Sequence, residues 1–128
     1  MKASIWGAAA LLGLAGAAQA ATLDDVRARG ALNCGVNPGL TGFAAPDANG
    51  VWQGFDVDLC RAVAAAIFGD PSAVNFTPLS GETRFTALAA GEVDMLARNS
   101  TGTYSRDTDL NLDFVGVNYY DGQGFLAP

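Results

Sequence analysis

Three short strand-like segments, separated by helical segments, constrain the fold of this chain more than any other feature. Residues 31–36, 74–78 and 93–97 have the apolar or alternating pattern of strands, whereas residues 56–68 and 84–90 have the composition and spacing of helices. The order is therefore β-α-β-α-β. It predicts an α/β domain in which the strands form a parallel sheet and the helices make right-handed crossovers.

The longer of these helices has an apolar side chain at every fourth position. Asp56 is predicted to cap its amino end, because an aspartate accepts hydrogen bonds from the first free backbone N–H groups. Gly69, followed by Pro71, is predicted to end the helix. The predicted buried face consists of Phe55, Leu59, Val63 and Ile67.

The loops that follow the three strands carry the candidate binding residues. In open α/β sheets ligands bind beyond the carboxyl ends of the strands, so residues 37–43, 79–84 and 98–106 are expected to lie side by side. A guanidinium beside hydroxyl and backbone N–H donors suits a carboxylate, which predicts a site for a small carboxylate-bearing molecule. The candidate side chains in these loops are Phe43, Ser80, Arg84, Ser100, Thr101, Thr103 and Arg106.

Each of these residues also has a structural explanation that the sequence leaves open. An arginine on a loop of an acidic protein is commonly a surface charge, and hydroxyl groups at helix starts are commonly caps. Phe43 could belong to the core. Arg98 is interpreted as a surface residue and is not counted among the candidates.

The composition argues against several classes of function. The chain has no His, which excludes Ser-His and Cys-His catalysis and histidine metal ligands. It has no nucleophile-elbow, phosphate-loop or dinucleotide-binding motif. The net charge of −6 disfavours nucleic acid and anionic membranes, because both require a cationic patch. We expect no catalytic residue, no metal and no cofactor.

The first 20 residues have the three regions of a secretory signal peptide. Lys2 supplies the positive end, residues 5–16 are apolar or small, and Ala18-Gln19-Ala20 matches a signal-peptidase site. A membrane anchor is the alternative, but it needs about 20 consecutive apolar residues and this run is shorter. We predict a cleaved signal peptide at residues 1–20, export to the periplasm, and a mature domain at residues 21–128.

The chain has two cysteines, Cys34 and Cys60. In an oxidising compartment such a pair is a candidate disulfide, and two buried thiols are the alternative. Their wide spacing, with no C-x-x-C motif, disfavours a zinc site.

Several motifs resemble those of one protein family. The run G-F-D-V-D-L at residues 54–59, leading into an Ala-rich helix, resembles the signature of the bacterial extracellular solute-binding proteins for polar amino acids. The pattern R-F-x-A-L-x-x-G-x-x-D at residues 84–94 and the segments at 113–114 and 119–120 are similar to the same family. The resemblance covers nearly all of the mature chain. It is greatest to the general L-amino acid binding proteins of the aapJ type.

The resemblance implies a fold, a ligand and a set of site residues. The fold is the periplasmic binding protein-like II fold, and the protein is a monomeric receptor that delivers L-amino acids to an inner-membrane ABC permease. The α-carboxylate is expected to bind Arg106, with Thr101 at the matching hydroxyl position. The backbone of Asn99 is expected to contact the α-amino group, Arg84 lies where relatives specific for glutamate and aspartate have a binding arginine, and Phe43 borders the side-chain pocket.

The chain departs from the family in its length. Family members have two lobes and more than twice this length, so we expect an N-terminal fragment with an incomplete lobe 1 and no second lobe. Such a fragment is expected to bind amino acids weakly or not at all. Two other functions stay open: a periplasmic enzyme on the same fold, similar to the dehydratases, and the ligand-sensing domain of a membrane receptor.

The fold implied by the resemblance also bears on the cysteines. Cys34 lies on the first strand and Cys60 on the helix that packs over it in a βαβ unit. We therefore hypothesise a Cys34–Cys60 disulfide.

Overall fold

The computed structural model describes residues 21–110 and 112–127. The predicted signal peptide lies outside the described residues and stays a prediction. In the described part no helix is long and apolar enough to cross a membrane. The elements in chain order are α1 (Ala21–Arg29), β1 (Leu32–Val36), β2 (Ala45–Pro46), β3 (Trp52–Gln53), α2 (Phe55–Phe68), β4 (Val74–Pro78), α3 (Arg84–Ala89), β5 (Met95–Leu96) and α4 (Tyr104–Asp109).

The three predicted strands form one parallel sheet. β1 lies in the centre, with β4 on one side and β5 on the other. In the register of the sheet, Cys34 of β1 is opposite Phe76 of β4 and Met95 of β5. The predicted parallel β-α-β-α-β arrangement is therefore confirmed. β2 and β3, which lie between β1 and α2 in the chain, form a separate antiparallel pair.

Helix α2 packs on the sheet with a face that matches the predicted one only in part, since Leu59, Val63 and Ile67 pack against the core while partly buried. Its buried apolar residues are Val57, Cys60 and Ala64. Phe55 belongs to the predicted face, yet 43% of its surface is exposed, and Leu59 is only half-buried. The small side chains of Cys60 and Ala64 let the helix approach the sheet closely, so the bulkier residues pack at its flanks.

A disulfide bond joins Cys34 of β1 to Cys60 of α2. The two Cα atoms are 6.2 Å apart, and both residues are fully buried. They belong to the same core cluster as Val36 and Val57. The hypothesised pairing is therefore confirmed, and it fastens α2 to the central strand.

The amino end of α2 depends on a glycine rather than on the predicted aspartate cap. Gly54 precedes the helix at φ +121°, and a Cβ at this position would lie 2.4 Å from the carbonyl oxygen of Phe43. This close approach lets the N–H groups of Phe55 and Asp56 donate to the carbonyls of Gly42 and Phe43, at 3.0 and 2.9 Å. The prediction that Asp56 is the cap was wrong because the loop backbone already takes these donors. The Asp56 side chain is instead buried, with 3% of its surface exposed.

Candidate functional site

The three loops at the carboxyl edge of the parallel sheet are joined by hydrogen bonds. Arg98 donates from Nη1 to the carbonyl oxygens of Leu79 and Ser80, and from Nη2 to Oδ1 of Asn99 at 3.2 Å. Asn37 donates from Nδ2 to the same Asn99 oxygen at 3.1 Å. The predicted adjacency of the loops is therefore confirmed. We call them the first, second and third edge loops: residues 37–43, 79–84 and 98–106.

Arg84 and Arg106 lie against one aromatic ring. The Cζ atom of Arg84 is 4.6 Å from the ring centroid of Phe85, and the Cζ atom of Arg106 is 5.2 Å from it. A cation within about 6 Å of a ring centroid is attracted by the negative charge of the ring face. The Phe85 ring thus keeps two guanidinium groups, one from the second edge loop and one from the third, close to each other.

The charges around the edge loops shift one another's pKa values. Burial, and then the charge of Arg106, lowers the pKa of Arg84. Burial and then the charge of Arg84 lower the pKa of Arg98, while Asp56 opposes both effects. The charged forms of Arg84 and Arg98 are disfavoured by desolvation and by a neighbouring guanidinium, and a bound anion would favour them.

Arg84 and Arg106 also lack carboxylate partners within 4.0 Å among the described residues. Ion pairs within 4.0 Å in this part of the chain involve three other arginines: Arg27, Arg29 and Arg61. Three buried polar atoms at the edge loops have no hydrogen-bond partner within the described chain: Nε of Arg84, Nε of Arg98 and Oγ of Ser100. A fourth unpaired atom is an acceptor, Oδ2 of the buried Asp56 at the start of α2. Because buried polar groups are normally paired, the unpaired Nε donor of Arg84, beside the second guanidinium of Arg106, indicates a place for an anion that accepts hydrogen bonds.

Asn99 and Thr101 precede Arg106 in the third edge loop, and Arg106 itself lies in α4. The backbone carbonyl of Thr101 accepts a hydrogen bond from Nη1 of Arg106 at 2.6 Å, and the Thr101 side chain is exposed. The Asn99 side chain is used to join the edge loops. Its backbone stands at the carboxyl edge, directly after Arg98.

Phe43 belongs to a cluster of three aromatic rings. Its ring centroid is 5.0 Å from that of Tyr119 and 6.3 Å from that of Phe55, both in edge-to-face arrangements. Phe43 is half-buried, whereas Phe55 and Tyr119 are exposed. The cluster offers an apolar surface at the first edge loop, and Phe43 is part of that surface rather than of the core.

Two of the candidate hydroxyl groups serve the local backbone. Thr103 caps the short helix α4 by accepting from the N–H of Arg106 at 3.3 Å. Ser80 accepts from the N–H groups of Glu82 and Thr83 at 3.2 and 3.1 Å. The cap interpretation left open by the sequence is therefore correct for Thr103, whereas Ser80 stabilises the turn before α3, whose N-cap is Thr83. The Thr103 cap also starts the helix that places Arg106 beside Phe85.

Sequence reasoning missed three residues of this region. Arg98 was interpreted as a surface charge, although its position directly after a buried strand could have indicated a role at the carboxyl edge. Phe85 belongs to the motif at residues 84–94, but the sequence analysis assigned no role to it. Asp56 was assigned to a cap, and only the packing of α2 shows that its carboxylate is buried. Burial raises the pKa of this carboxyl, and the positive charge of Arg98 opposes the shift.

Residues 32–128 match the family model described as bacterial extracellular solute-binding proteins, family 3. The chain belongs to this family. The match includes all three edge loops and the four residues 84, 99, 101 and 106. In the part of the chain that the structure describes, no group of three or more His, Cys, Asp or Glu side chains could hold a metal ion.

Two curated members of family 3 are similar to this chain over nearly its whole length. It is 71% identical over 127 residues to the glutamate/glutamine/aspartate/asparagine-binding protein BztA of Rhodobacter capsulatus, covering 98% of this chain and 38% of that protein. It is 61% identical over 121 residues to the general L-amino acid-binding periplasmic protein AapJ of Rhizobium johnstonii, covering 94% of this chain and 36% of that protein. The chain thus spans little more than a third of these relatives.

A solved structure of similar sequence supports the fold. It is an ABC transporter/periplasmic binding protein from Brucella ovis with glutathione bound, 68% identical, with a TM-score of 0.78 over 80% of this chain and 32% of that chain. The predicted fold class, a partial lobe of the periplasmic binding protein-like II fold, is confirmed by this likeness and by the parallel sheet.

Two residues of the motifs noted in the sequence, Gly54 and Asp94, have physical explanations in the structure. Gly54 permits the backbone contact that starts α2, as described above. Asp94, the last residue of the motif at 84–94, accepts from the N–H of Asn33 at 2.7 Å and forms an ion pair with Arg29. The motif therefore ties α1 to the amino end of the sheet, on the opposite side from the edge loops.

Proposed function

We propose that this chain is an amino-acid-binding protein of the periplasm that serves an ABC importer and catalyses no reaction. The observation that carries the proposal is the group of unpaired guanidiniums at the carboxyl edge of the sheet. Arg84 and Arg106 share the Phe85 ring, have no carboxylate partner within 4.0 Å in the described chain, and come from two loops that Arg98 joins by hydrogen bonds. The names of the curated relatives, which refer to amino acids, agree with this chemistry.

The proposed ligand contacts follow from the charges of an amino acid. The guanidinium of Arg106 would hold the α-carboxylate, with the hydroxyl of Thr101 as a further donor. The carbonyl oxygen of Asn99 would accept from the α-ammonium group. Arg84 would bind a second acceptor on the ligand side chain, and Phe43 would border its apolar part.

We also propose that the described residues supply one side of a larger site. The chain covers 38% and 36% of the two curated relatives, and their remaining length offers room for the opposite side. Binding by this chain alone is then expected to be weak, with a dissociation constant of about 1 mM, equivalent to a binding free energy of about −4 kcal/mol.

A titration followed by ¹H–¹⁵N NMR tests the carboxylate site, because it detects binding this weak. L-glutamine is expected to shift the amide signals of the second and third edge loops. Its analogue 4-aminobutanamide lacks the α-carboxylate and is expected to leave those signals in place. Micromolar binding of L-glutamine would contradict the one-sided site, and equal shifts by both compounds would contradict the carboxylate clamp.

A pair of variants tests the residues. Arg106→Lys replaces a planar fork of donors by a point charge and is expected to weaken L-glutamine binding about tenfold or more. Arg27→Lys is the matched control, since Arg27 is exposed on α1 and pairs only with Asp24 among the described residues. If Arg106→Lys binds as well as the control, the assignment of Arg106 is wrong.

A further inference from the structure

Arg98 is a half-buried arginine whose Nη1 and Nη2 groups donate to the chain itself, whereas its Nε has no partner in the described chain. Its Nη1 group serves two backbone carbonyls of the second edge loop, those of Leu79 and Ser80. Its Nη2 group serves the side-chain oxygen of Asn99 in the third edge loop, and that oxygen also accepts from Asn37 in the first. One guanidinium therefore connects all three edge loops, two directly and one through a single amide.

We propose that Arg98 is a positioning residue, which holds the three edge loops in the arrangement that the amino-acid site requires. The part of this inference that concerns the ligand rests on the proposed function. The part that concerns the loops rests only on the hydrogen bonds just described. Arg84 and Arg106 are the groups proposed to contact the ligand, whereas Arg98 acts on it through the backbone of the loops.

The chemistry of the side chain explains why this position carries arginine. The acceptors lie on three different residues, and a planar guanidinium presents its donors in a fixed fork that reaches several acceptors at once. A lysine ammonium is a single point of charge on a flexible stem and cannot hold the same set. The buried carboxylate of Asp56, at the start of α2, attracts the positive charge and favours this position of the side chain.

The order of the loops can be measured without any ligand. In the Arg98→Lys variant, ¹⁵N relaxation is expected to show the backbone order parameters of the edge loops falling from about 0.85 towards about 0.6, with α2 unchanged. Arg61→Lys is the matched control. Arg61 is also half-buried and donates to a backbone carbonyl, that of Trp52, at 2.7 Å, but it lies away from the edge loops. Unchanged order parameters in Arg98→Lys, or an equal loss in Arg61→Lys, would overturn the proposal.

A second variant keeps the proposal testable if Arg98→Lys does not fold. Asn99→Ala removes the amide oxygen that Arg98 and Asn37 share, so the first edge loop is expected to lose order while the second keeps it through the bonds of Arg98 to Leu79 and Ser80. Loss of order in both loops, or in neither, would contradict the proposed connections.

Titration with L-glutamine then separates this inference from the proposed function. If the wild-type chain binds, Arg98→Lys is expected to bind about tenfold more weakly, and Arg61→Lys is expected to bind as the wild type does. If the wild type does not bind but the loops of Arg98→Lys lose order, the proposed function fails and the positioning of the loops stands. If the wild type binds and the variant keeps both order and affinity, the positioning role is wrong.

Discussion

Cys34, on the central strand β1, is joined by a disulfide bond to Cys60, on helix α2. Both cysteines are fully buried, and the sequence separation is 26 residues. The bond encloses the whole first edge loop and the β2–β3 pair. It therefore connects the element that lies over the sheet to the strand from which the first edge loop begins.

Removing this bond is expected to destabilise the chain by about 3 kcal/mol, because the unfolded chain gains the freedom of a loop of this length. The measurement compares urea unfolding of the wild type with that of the Cys34→Ala, Cys60→Ala double variant. Wild type unfolded in the presence of a reductant is the control for the loss of side-chain volume. Equal unfolding midpoints with and without the disulfide would show that the bond adds no stability.

Gly54→Ala is expected to destabilise the fold strongly, because a Cβ at this position would lie 2.4 Å from the carbonyl oxygen of Phe43. The residue also stands at φ +121°, where side chains are strained by about 1–3 kcal/mol before any contact is counted. Thermal unfolding should show that the free energy of unfolding falls by more than this backbone strain alone would cause.

The control for this prediction is Gly69→Ala at the other end of α2. Gly69 also has a positive φ, +72°, but a Cβ added there would have no other atom within 4 Å, so only backbone strain of about 1–2 kcal/mol is expected. Equal losses in the two variants would mean that the contact with Phe43 is not what requires glycine at position 54.

Asp56→Asn is expected to stabilise the chain near neutral pH. Burial raises the pKa of this carboxyl above its ordinary value of 3.8, and the attraction of Arg98 only opposes the shift. The folded state therefore binds the proton more tightly than the unfolded state does. The cost of charging Asp56 is absent well below 3.8 and grows as the pH rises through the folded-state pKa.

Unfolding midpoints measured between about pH 3 and pH 7 test whether the charged Asp56 carboxylate destabilises the folded state. The gain in stability of Asp56→Asn over the wild type should be largest near pH 7 and should shrink towards pH 3. Asp25→Asn removes an exposed carboxylate that forms no ion pair within 4.0 Å among the described residues, and it serves as the control for net charge. A constant difference over the whole range would show that burial of the Asp56 charge does not control the effect.

Much of this fold follows from the sequence because its signals are local. The periodic strands and the glycines at helix ends predicted the parallel sheet, and the order of the strands predicted which loops meet. The face of α2 could not be obtained in the same way. Four large apolar residues at regular spacing look like the buried face, but close packing on the sheet favours the small side chains of Cys60 and Ala64.

The candidate site was predicted by residue type and position, not by contact. Arg84 and Arg106 stand after strands, where ligands bind in such sheets, and this signal is present in the sequence. The Phe85 ring between them and the bonds of Arg98 are contacts between residues distant in the chain. The spacing of residues in the sequence does not reveal such contacts. An arginine such as Arg98 therefore looks the same in the sequence whether it is a surface charge or a positioning residue.

The Phe85 ring is expected to matter for binding because it holds two of the proposed ligand-binding cations. Phe85→Leu keeps an apolar side chain but removes the negative ring face beneath Arg84 and Arg106, which lie 4.6 and 5.2 Å from its centroid. A cation–π contact contributes about 0.5–1 kcal/mol at exposed sites and more when desolvated. Losing two such contacts should weaken L-glutamine binding by about tenfold.

Phe76→Leu is the matched control for this change. Phe76 also lies beneath an arginine, with the Cζ of Arg61 at 5.6 Å from its centroid, but it belongs to β4 and not to an edge loop. The side-chain Nε–H NMR signals of Arg84 and Arg106 are expected to shift in Phe85→Leu and to stay in place in Phe76→Leu. If binding and both signals are unaltered in Phe85→Leu, the ring does not position these arginines, and the carboxylate site must be held by the edge-loop backbone alone.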